Sequence, residues 1–179
     1  MSDGGLAGWQ RVGEDQPVYT GYTRVVRRRM RQSDGRESDW DLVASPDSVV
    51  ILALTPDQQI VGTRQFRPGP DRVMASLPGG LLDDGETVLD AAARELREET
   101  GYVGVGWQII THTTPYKSTE RRWVAVAREC VLDGEQSLDE HEDIAVCLFS
   151  LAQLRGELRS GGFGTTDQAY LALDHLRLL

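Results

Sequence analysis

Three glutamates lie within five consecutive positions near the middle of the chain, at Glu95, Glu98 and Glu99. Residues three or four apart share one face of a helix, so Glu95 would lie beside both of the others. Like charges at this spacing destabilise a helix by about 0.2–0.5 kcal/mol per pair. A hard divalent cation would relieve this repulsion, because carboxylate oxygens are the ligands that Mg²⁺ and Mn²⁺ prefer. The alternative is an ordinary solvated helix face.

The residues around the glutamates predict the helix that must position them. Thr87 is a good N-cap, and Gly101 lies where a left-handed C-cap glycine belongs. The alanines and leucines between them are strong helix formers. Leu89, Ala93 and Leu96 share one face, which is predicted to pack inward.

The whole stretch follows a longer pattern of spacings. Its fixed positions are Gly80, Glu86, Arg94, Glu95, Leu96, Glu98, Glu99, Gly101 and Tyr102. This pattern resembles the signature of the Nudix hydrolases, with Tyr102 in place of the usual aliphatic residue. The resemblance implies metal-dependent hydrolysis of a diphosphate, with Mg²⁺ or Mn²⁺ as the cofactor.

The resemblance also implies roles for the charged residues of the signature. Glu95, Glu98 and Glu99 are expected to hold the metal together with the main-chain carbonyl of Gly79, and Glu98 is also a candidate catalytic residue. Arg94, a second catalytic candidate, is expected to fix the glutamates by charge-assisted hydrogen bonds. We expect it to pair with Glu98, which leaves Glu95 and Glu99 side by side.

Three signature residues are expected to be structural, at Gly80, Glu86 and Gly101. For Glu86 two roles stay open. It either orients the helix start or a ligand glutamate, or provides a favourable negative charge at the helix N-terminus.

Similarity outside the signature extends over residues 18–179 and points to one subgroup, the ADP-ribose and nucleoside-diphosphate-sugar pyrophosphatases. It is carried by segments in the same order, at Gln65-Phe66-Arg67, Leu77-Pro78-Gly79-Gly80, Thr114-Pro115, Glu120 and residues 139–144. Two places depart from that subgroup. Ser76 replaces a glutamate, and residues 42–45 replace a segment that reads adenine in some members. The pattern therefore predicts pyrophosphate chemistry without predicting the base.

Residues beyond the signature complete the predicted site. The resemblance assigns Glu140 as the general base and Glu142 as a further metal ligand, the alternative being a solvated acidic loop. Arg67 is expected to contact a substrate phosphate bidentately, or to pair with an acid at the end of its strand. Three more residues are expected on the substrate side, at Arg27, Arg29 and Glu120. For the two arginines, a solvated strand or a subunit-facing arm is the alternative.

The remaining chain predicts an α/β fold. Strands are predicted at residues 18–31, 37–44, 48–55, 60–66, 107–113, 121–132 and 144–149, and further helices at residues 150–160 and 166–178. With the signature helix, these elements indicate a Nudix-type α/β/α sandwich with a mixed sheet. Residues 1–47 are predicted to form a lead-in and a β-hairpin arm on the dimerisation or substrate side, and residues 48–179 the Nudix hydrolase domain.

Composition restricts the partners and the compartment. The formal charge of −9 argues against binding to a nucleic-acid backbone, and no apolar run is long enough to span a membrane. The N-terminus has neither a basic leader nor an apolar segment, as expected of a cytoplasmic protein. Cys130 and Cys147 fall in strand-like runs and are expected to be free thiols.

The leading interpretation is a metal-dependent pyrophosphatase that cleaves ADP-ribose or another nucleotide sugar into a nucleoside monophosphate and a sugar phosphate. A house-cleaning nucleoside triphosphatase of the same fold is an alternative, but the long hairpin and the Pro115 loop favour a sugar-type substrate. A catalytically inactive binding protein of this fold would be expected to have lost signature glutamates, and none is lost.

Overall fold

A computed structural model describes residues 8–140 and 142–179. Residues 1–7 of the predicted lead-in, and His141 in the acidic loop, lie outside the described residues. The elements in chain order are β1 (Gln10–Arg11), β2 (Gln16–Thr20), β3 (Arg24–Arg31), β4 (Glu37–Ala44), β5 (Ser48–Leu54), β6 (Ile60–Arg67), β7 (Arg72–Ser76), β8 (Gly79–Leu81), α1 (Val88–Thr100), β9 (Tyr102–Thr113), β10 (Arg122–Leu132), β11 (Ile144–Phe149), α2 (Leu151–Ser160) and α3 (Thr166–His175). No helix in this part of the chain is long and apolar enough to cross a membrane.

The described chain divides into two compact units, neither of which is continuous in sequence. The first contains the residues up to Pro46 together with Thr114–Glu120. The second contains Asp47–Thr113 and Arg121–Leu179. The chain thus leaves the second unit after β9 and re-enters it before β10. The predicted division of the chain, with one boundary after residue 47, did not include this excursion.

In the first unit, β3 is the central strand of a four-stranded antiparallel sheet. β4 pairs with β3 along its whole length, and the turn between them contains Gly35 with a φ of 85°. The prediction of one continuous strand over residues 18–31 is wrong, because the chain reverses at residues 21–23. There the Gly21 N–H donates to the carbonyl of Thr23 at 3.3 Å. Gly21 lies in this turn, and a glycine within a strand-like run is a signal for such a break that the prediction did not use.

The segment Thr114–Glu120 joins the first unit through the end of β4. The N–H of Val43 donates to the carbonyl of Lys117, and the carbonyl of Val43 accepts from the N–H of Thr119, both at 2.9 Å. These two main-chain bonds add the segment to the hairpin as a short parallel bridge.

The second unit is built on a mixed sheet with the strand order β11-β6-β5-β10-β9. β5 and β10 are parallel, and the other neighbours on this path are antiparallel. β7 pairs with β6, and β8 pairs with β5. β7 and β8 were not predicted, and β9 begins at Tyr102 rather than at residue 107. β8 is too short and too rich in glycine to show a period of two.

β5 separates two apolar cores by the alternation of its side chains. Its even-numbered residues pack with α2 and α3, and its odd-numbered residues pack with α1. The first core includes Val50, Leu52, Leu54, Leu154, Ala169 and Leu173, and the second includes Val49, Ile51, Ala53, Ala91, Ala92 and Leu96. Helices therefore cover both faces of the sheet, and the predicted α/β/α sandwich is confirmed.

Candidate active site

Two adjacent glycines bring the main chain close to the glutamate-bearing helix. Gly79 has a φ of 153°, and a β-carbon there would clash with the carbonyl of Val49 on the paired strand β5. A β-carbon at Gly80 would clash with the carboxylate of Glu95. Glycine is therefore required at position 79 for strand pairing, and at position 80 it leaves the space that the Glu95 carboxylate occupies.

α1 is capped as predicted, but a different face packs inward. Thr87 accepts a hydrogen bond from the N–H of Asp90 at 3.2 Å, and Gly101 has a φ of 73°. Leu89 and Ala93 are exposed, contrary to the prediction, whereas Leu96 is buried. The buried face is formed by Ala91, Ala92, Leu96, Glu99 and Thr100. The prediction considered apolar residues only, and it therefore missed this helix face, which includes a glutamate.

Glu99 is the most deeply placed carboxylate of the site, with 6% of its surface exposed. Its Oε2 accepts the N–H of Gly79 at 2.9 Å. Burial raises the pKa of Glu99 to about 7, and the charges of Glu95 and Glu142 act in the same direction. Loss of water around a carboxylate favours its neutral form, and a cation beside Glu99 would favour the charged form.

Glu95 is also largely withdrawn from water, with 12% of its side chain exposed. Burial raises its pKa, Arg94 opposes that shift, and the charges of Glu98 and Glu142 add to it. The charge of Glu142, in the loop before β11, thus acts on both Glu95 and Glu99. The same loop contacts the end of α1, where the N–H of Ser137 donates to the carbonyl of Glu98 at 2.9 Å.

Arg94 is hydrogen-bonded to three carboxylates at once. Its Nε and Nη2 donate to the two oxygens of Glu86, both at 2.9 Å, and its Nη1 donates to Glu95 at 2.8 Å and to Glu98 at 3.1 Å. Nη2 also donates to the carbonyl of Leu81 at 3.0 Å. These acids raise the pKa of Arg94 further above its usual range, Glu86 having the largest effect. The expected pair of Arg94 with Glu98 is present, and the same guanidinium also engages Glu95, which was expected to be left beside Glu99.

Glu86 lies in the loop before α1 and is tied to Arg94. Its hydrogen bonds from Arg94 lower its pKa, and its Oε2 also accepts the N–H of Asp83 at 3.0 Å. Of the two roles left open, the geometry favours orientation of a ligand glutamate, here through Arg94. Sequence reasoning did not find this arrangement, because the eight-residue separation spans a loop.

Arg67 and the acidic loop add charge to the candidate site. Arg67 ends β6, and its positive charge opposes the upward shift of the Glu99 pKa. Glu142 Oε2 accepts the N–H of Asp139 at 3.1 Å. Glu140 is exposed in the same loop. Its assignment as the base stays a prediction.

The candidate substrate residues of the first unit have other contacts. Arg27 donates to Asp41 at 3.1 Å, and Arg29 binds both oxygens of Asp39 at 2.8 and 3.1 Å. Both acids lie directly opposite on β4. Glu120 is buried, with 8% of its surface exposed. The substrate role of these three residues stays a prediction.

The carboxylate oxygens of the candidate site suit a hard divalent cation, although they do not form a complete coordination shell. Oxygen ligands, partly buried carboxylates and mutual repulsion are the conditions under which Mg²⁺ or Mn²⁺ stabilises a site. Within the described residues, no three side chains of the metal-ligating types are gathered as a preformed cluster. Arg94 holds two of the candidate ligands, Glu95 and Glu98, so an ion would share them with a guanidinium.

A model of the NUDIX domain matches residues 44–168. The chain therefore belongs to the Nudix hydrolases, as the signature predicted. It is 33% identical to an ADP-ribose pyrophosphatase of Bacillus subtilis over 81% of this chain and 80% of that protein. It is 31% identical to an ADP-ribose pyrophosphatase of Mycobacterium tuberculosis over 80% of this chain and 74% of that protein. A crystal structure of an ADP compounds hydrolase shares the fold, with a TM-score of 0.79, 20% identity and coverage of 96% of each chain.

Proposed function

We propose that the protein hydrolyses the diphosphate bond of a nucleoside diphosphate joined to a second group, namely ADP-ribose or another nucleotide sugar. The products are a nucleoside monophosphate and a sugar phosphate. The observation that carries this proposal is the buried Glu99, which accepts the N–H of Gly79 at 2.9 Å and shares its helix with Glu95 and Glu98, both held by Arg94. Such a site suits an anionic phosphate only when a cation accompanies it. The names of the two bacterial relatives support the substrate class.

Glu95, Glu99 and Glu142 are proposed to hold Mg²⁺ or Mn²⁺ with the carbonyl of Gly79. Glu98 is more exposed, at 42% of its side chain, and is proposed to reach the ion through water. When bound, the ion neutralises phosphate charge and lowers the pKa of a water molecule. Arg94 keeps Glu95 in place by donating to it, which fixes the carboxylate without adding a ligand.

The remaining groups move the proton and bind the substrate. Glu140 takes a proton from the attacking water, whose oxygen forms the new bond to phosphorus. The bridging P–O bond breaks, and its electron pair stays on the oxygen of the departing phosphate. Arg67 binds a phosphate of the substrate, where its planar fork can donate two hydrogen bonds. Positioning and charge stabilisation supply most of the catalysis in such a transfer.

A substrate panel tests the proposal. Nucleotide sugars, dinucleotides and nucleoside triphosphates are each incubated with the protein and Mg²⁺ or Mn²⁺, and nucleoside monophosphate is quantified. We expect turnover with ADP-ribose or another nucleotide sugar, and none when the metal is chelated. Preference for triphosphates would favour the house-cleaning alternative, and no turnover on any substrate would overturn the proposal.

We further propose a cytoplasmic homodimer formed through the first unit, the N-terminal arm. Five aromatic residues of this unit are exposed, namely Trp9, Tyr19, Tyr22, Trp40 and Tyr116. Trp9 and Trp40 are in ring contact, with centroids 6.0 Å apart, and exposed aromatic residues are enriched at protein interfaces. Cys130 and Cys147 are free thiols, which suits a reducing compartment. Light scattering that gives the mass of a monomer would contradict the dimer.

A further inference from the structure

The acidic loop, residues 133–143, is fastened to the C-terminal end of α1. A helix end leaves main-chain carbonyls without partners inside the helix. Here the loop supplies donors to them. The N–H of Asp133 donates to the carbonyl of Gly101, and the N–H of Ser137 donates to the carbonyl of Glu98, both at 2.9 Å. The loop that carries Glu142 is therefore attached to the helix that carries the other proposed metal ligands.

The side chain of Gln136 bonds both to α1 and to β11. The Nε2 of Gln136 donates to the carbonyl of Glu99 at 2.6 Å and to the carbonyl of Ile144 at 3.0 Å. An amide nitrogen has two hydrogens, so its full donor capacity is used. Gln136 thus joins the last turn of α1 to the first residue of β11, and the residues between Gln136 and Ile144 include Glu142.

The contacts of Glu142 show which part of the loop the two hydrogen bonds of Gln136 hold in place. The N–H of Glu142 donates to the carbonyl of Asp139 at 3.0 Å, and the N–H of Asp139 donates to the Glu142 carboxylate at 3.1 Å, so these two residues are held together. Glu142 also lies two residues before Ile144, whose carbonyl shares the Gln136 amide with the carbonyl of Glu99. The bonds of Gln136 therefore hold the loop at the end of α1 that carries Glu99. Like charges on the glutamates oppose this approach, and the bonds of Gln136 do not depend on those charges.

We infer that Gln136 is a positioning residue, whose amide holds the acidic loop against α1 and so keeps Glu142 beside Glu95 and Glu99. The inference rests on the proposed function, because it takes these three glutamates as the metal ligands. Gln136 acts through main-chain carbonyls and has no assigned contact with metal or substrate. Glutamine suits the task because glutamate of the same shape would turn an acceptor toward two carbonyl oxygens.

The test uses two variants and one matched control in the full chain. Gln136→Met keeps the length of the side chain and removes both donors, and Gln136→Glu keeps the shape and reverses the polarity. Glu135→Gln changes the adjacent exposed residue and serves as the control. Amide hydrogen exchange of Ser137 is measured in the metal-free protein. We expect about 10-fold faster exchange in both Gln136 variants and unchanged exchange in the control.

The second measurement is Mn²⁺ affinity by electron paramagnetic resonance, followed by steady-state kinetics. Loss of an outer-shell partner typically costs about 10–100-fold in metal affinity or activity. We expect a loss of that size in Mn²⁺ affinity and kcat, with KM for the nucleotide sugar within about twofold, because the loop carries no proposed substrate contact. A general loss of structure would instead change KM and the melting temperature together.

Two results would overturn the inference. One is unchanged exchange at Ser137 in Gln136→Met, and the other is faster exchange with Mn²⁺ affinity and kcat equal to those of the wild type. Exchange and Mn²⁺ binding need no substrate. If the wild-type protein hydrolysed no nucleotide, the proposed function would fail while these two measurements still decided the role of Gln136.

Discussion

Arg94 donates to both carboxylate oxygens of Glu86, at 2.9 Å each, although Glu86 lies before α1 and Arg94 lies within it. The same guanidinium then reaches Glu95 and Glu98. A bidentate pair fixes both the position and the plane of the arginine. The orientation of two proposed metal ligands is therefore set from a loop outside their helix.

Replacement of Arg94 by alanine is expected to destabilise the protein. Three carboxylates would lose a shared cationic partner, and removing one member of a buried ion pair costs about 3–5 kcal/mol. Because 27% of the Arg94 side chain is exposed, we expect roughly 2–3 kcal/mol in the free energy of unfolding. Urea denaturation measures it. Arg97→Ala is the matched control on the same helix, since Arg97 is 63% exposed and pairs with Asp133 at 3.6 Å. Equal losses in the two variants would contradict the role given to Arg94.

Replacement of Glu99 by glutamine is expected to abolish metal-dependent turnover without unfolding the protein. Glutamine keeps an oxygen that can accept the Gly79 N–H and removes a charge that is costly to bury. We expect a fall in kcat of at least about 100-fold, against about 10-fold for Glu98→Gln at the more exposed position. Circular dichroism of both variants checks the fold. Retained activity in Glu99→Gln would remove Glu99 from the metal site.

The metal-free protein is expected to lose stability as the pH rises from about 4.5 to 7. Burial raises the pKa of Glu99 from 4.5 to about 7, so the folded state binds this proton more tightly than the unfolded state. The contribution is fully present below pH 4.5 and is lost as the pH passes through the folded pKa near 7. The expected change in unfolding free energy is roughly 3 kcal/mol.

Chemical denaturation across this pH range measures the effect. Glu99→Gln should flatten the profile, because its side chain does not titrate. Saturating Mg²⁺ should restore stability at neutral pH, since the ion binds the charged, folded form. A profile that is the same in the wild type and in Glu99→Gln would show that another group causes it.

Replacement of Arg67 by alanine is expected to raise KM for a nucleotide sugar. A hydrogen bond to a charged group is worth about 1.5–3 kcal/mol, which corresponds to roughly 10–150-fold in KM if the bond is equally strong in ground and transition states. Arg64→Ala is the matched control on β6, because Arg64 is engaged by Glu157 at 2.7 Å. Steady-state kinetics should leave the control within about twofold of the wild type. Equal effects of the two substitutions would argue against a phosphate contact by Arg67.

Local features of the fold were predictable, and contacts across the sheet were not. Thr87 and Gly101 mark the ends of α1 because caps depend on a few neighbouring residues. The inward face of α1 was predicted wrongly, since Glu99 lies on it and a charged residue is normally assigned to solvent. Neither β8 nor the two hydrogen bonds made by Gln136 produces a periodic pattern in the sequence, so neither was predicted. The loop that carries Glu142 meets the end of α1 only in the folded sheet, where β11 pairs with β6 and β6 pairs with β5.

The return of the chain to its first unit at Thr114–Glu120 affects how that unit can be gained or lost. A terminal fusion or deletion can add or remove an independent module in one step. Here, deletion up to Pro46 would leave Lys117 and Thr119 without the main-chain partners that Val43 gives them. The first unit is therefore held together by an internal segment as well as by its own strands, and a shortened protein would need a new connection between β9 and β10.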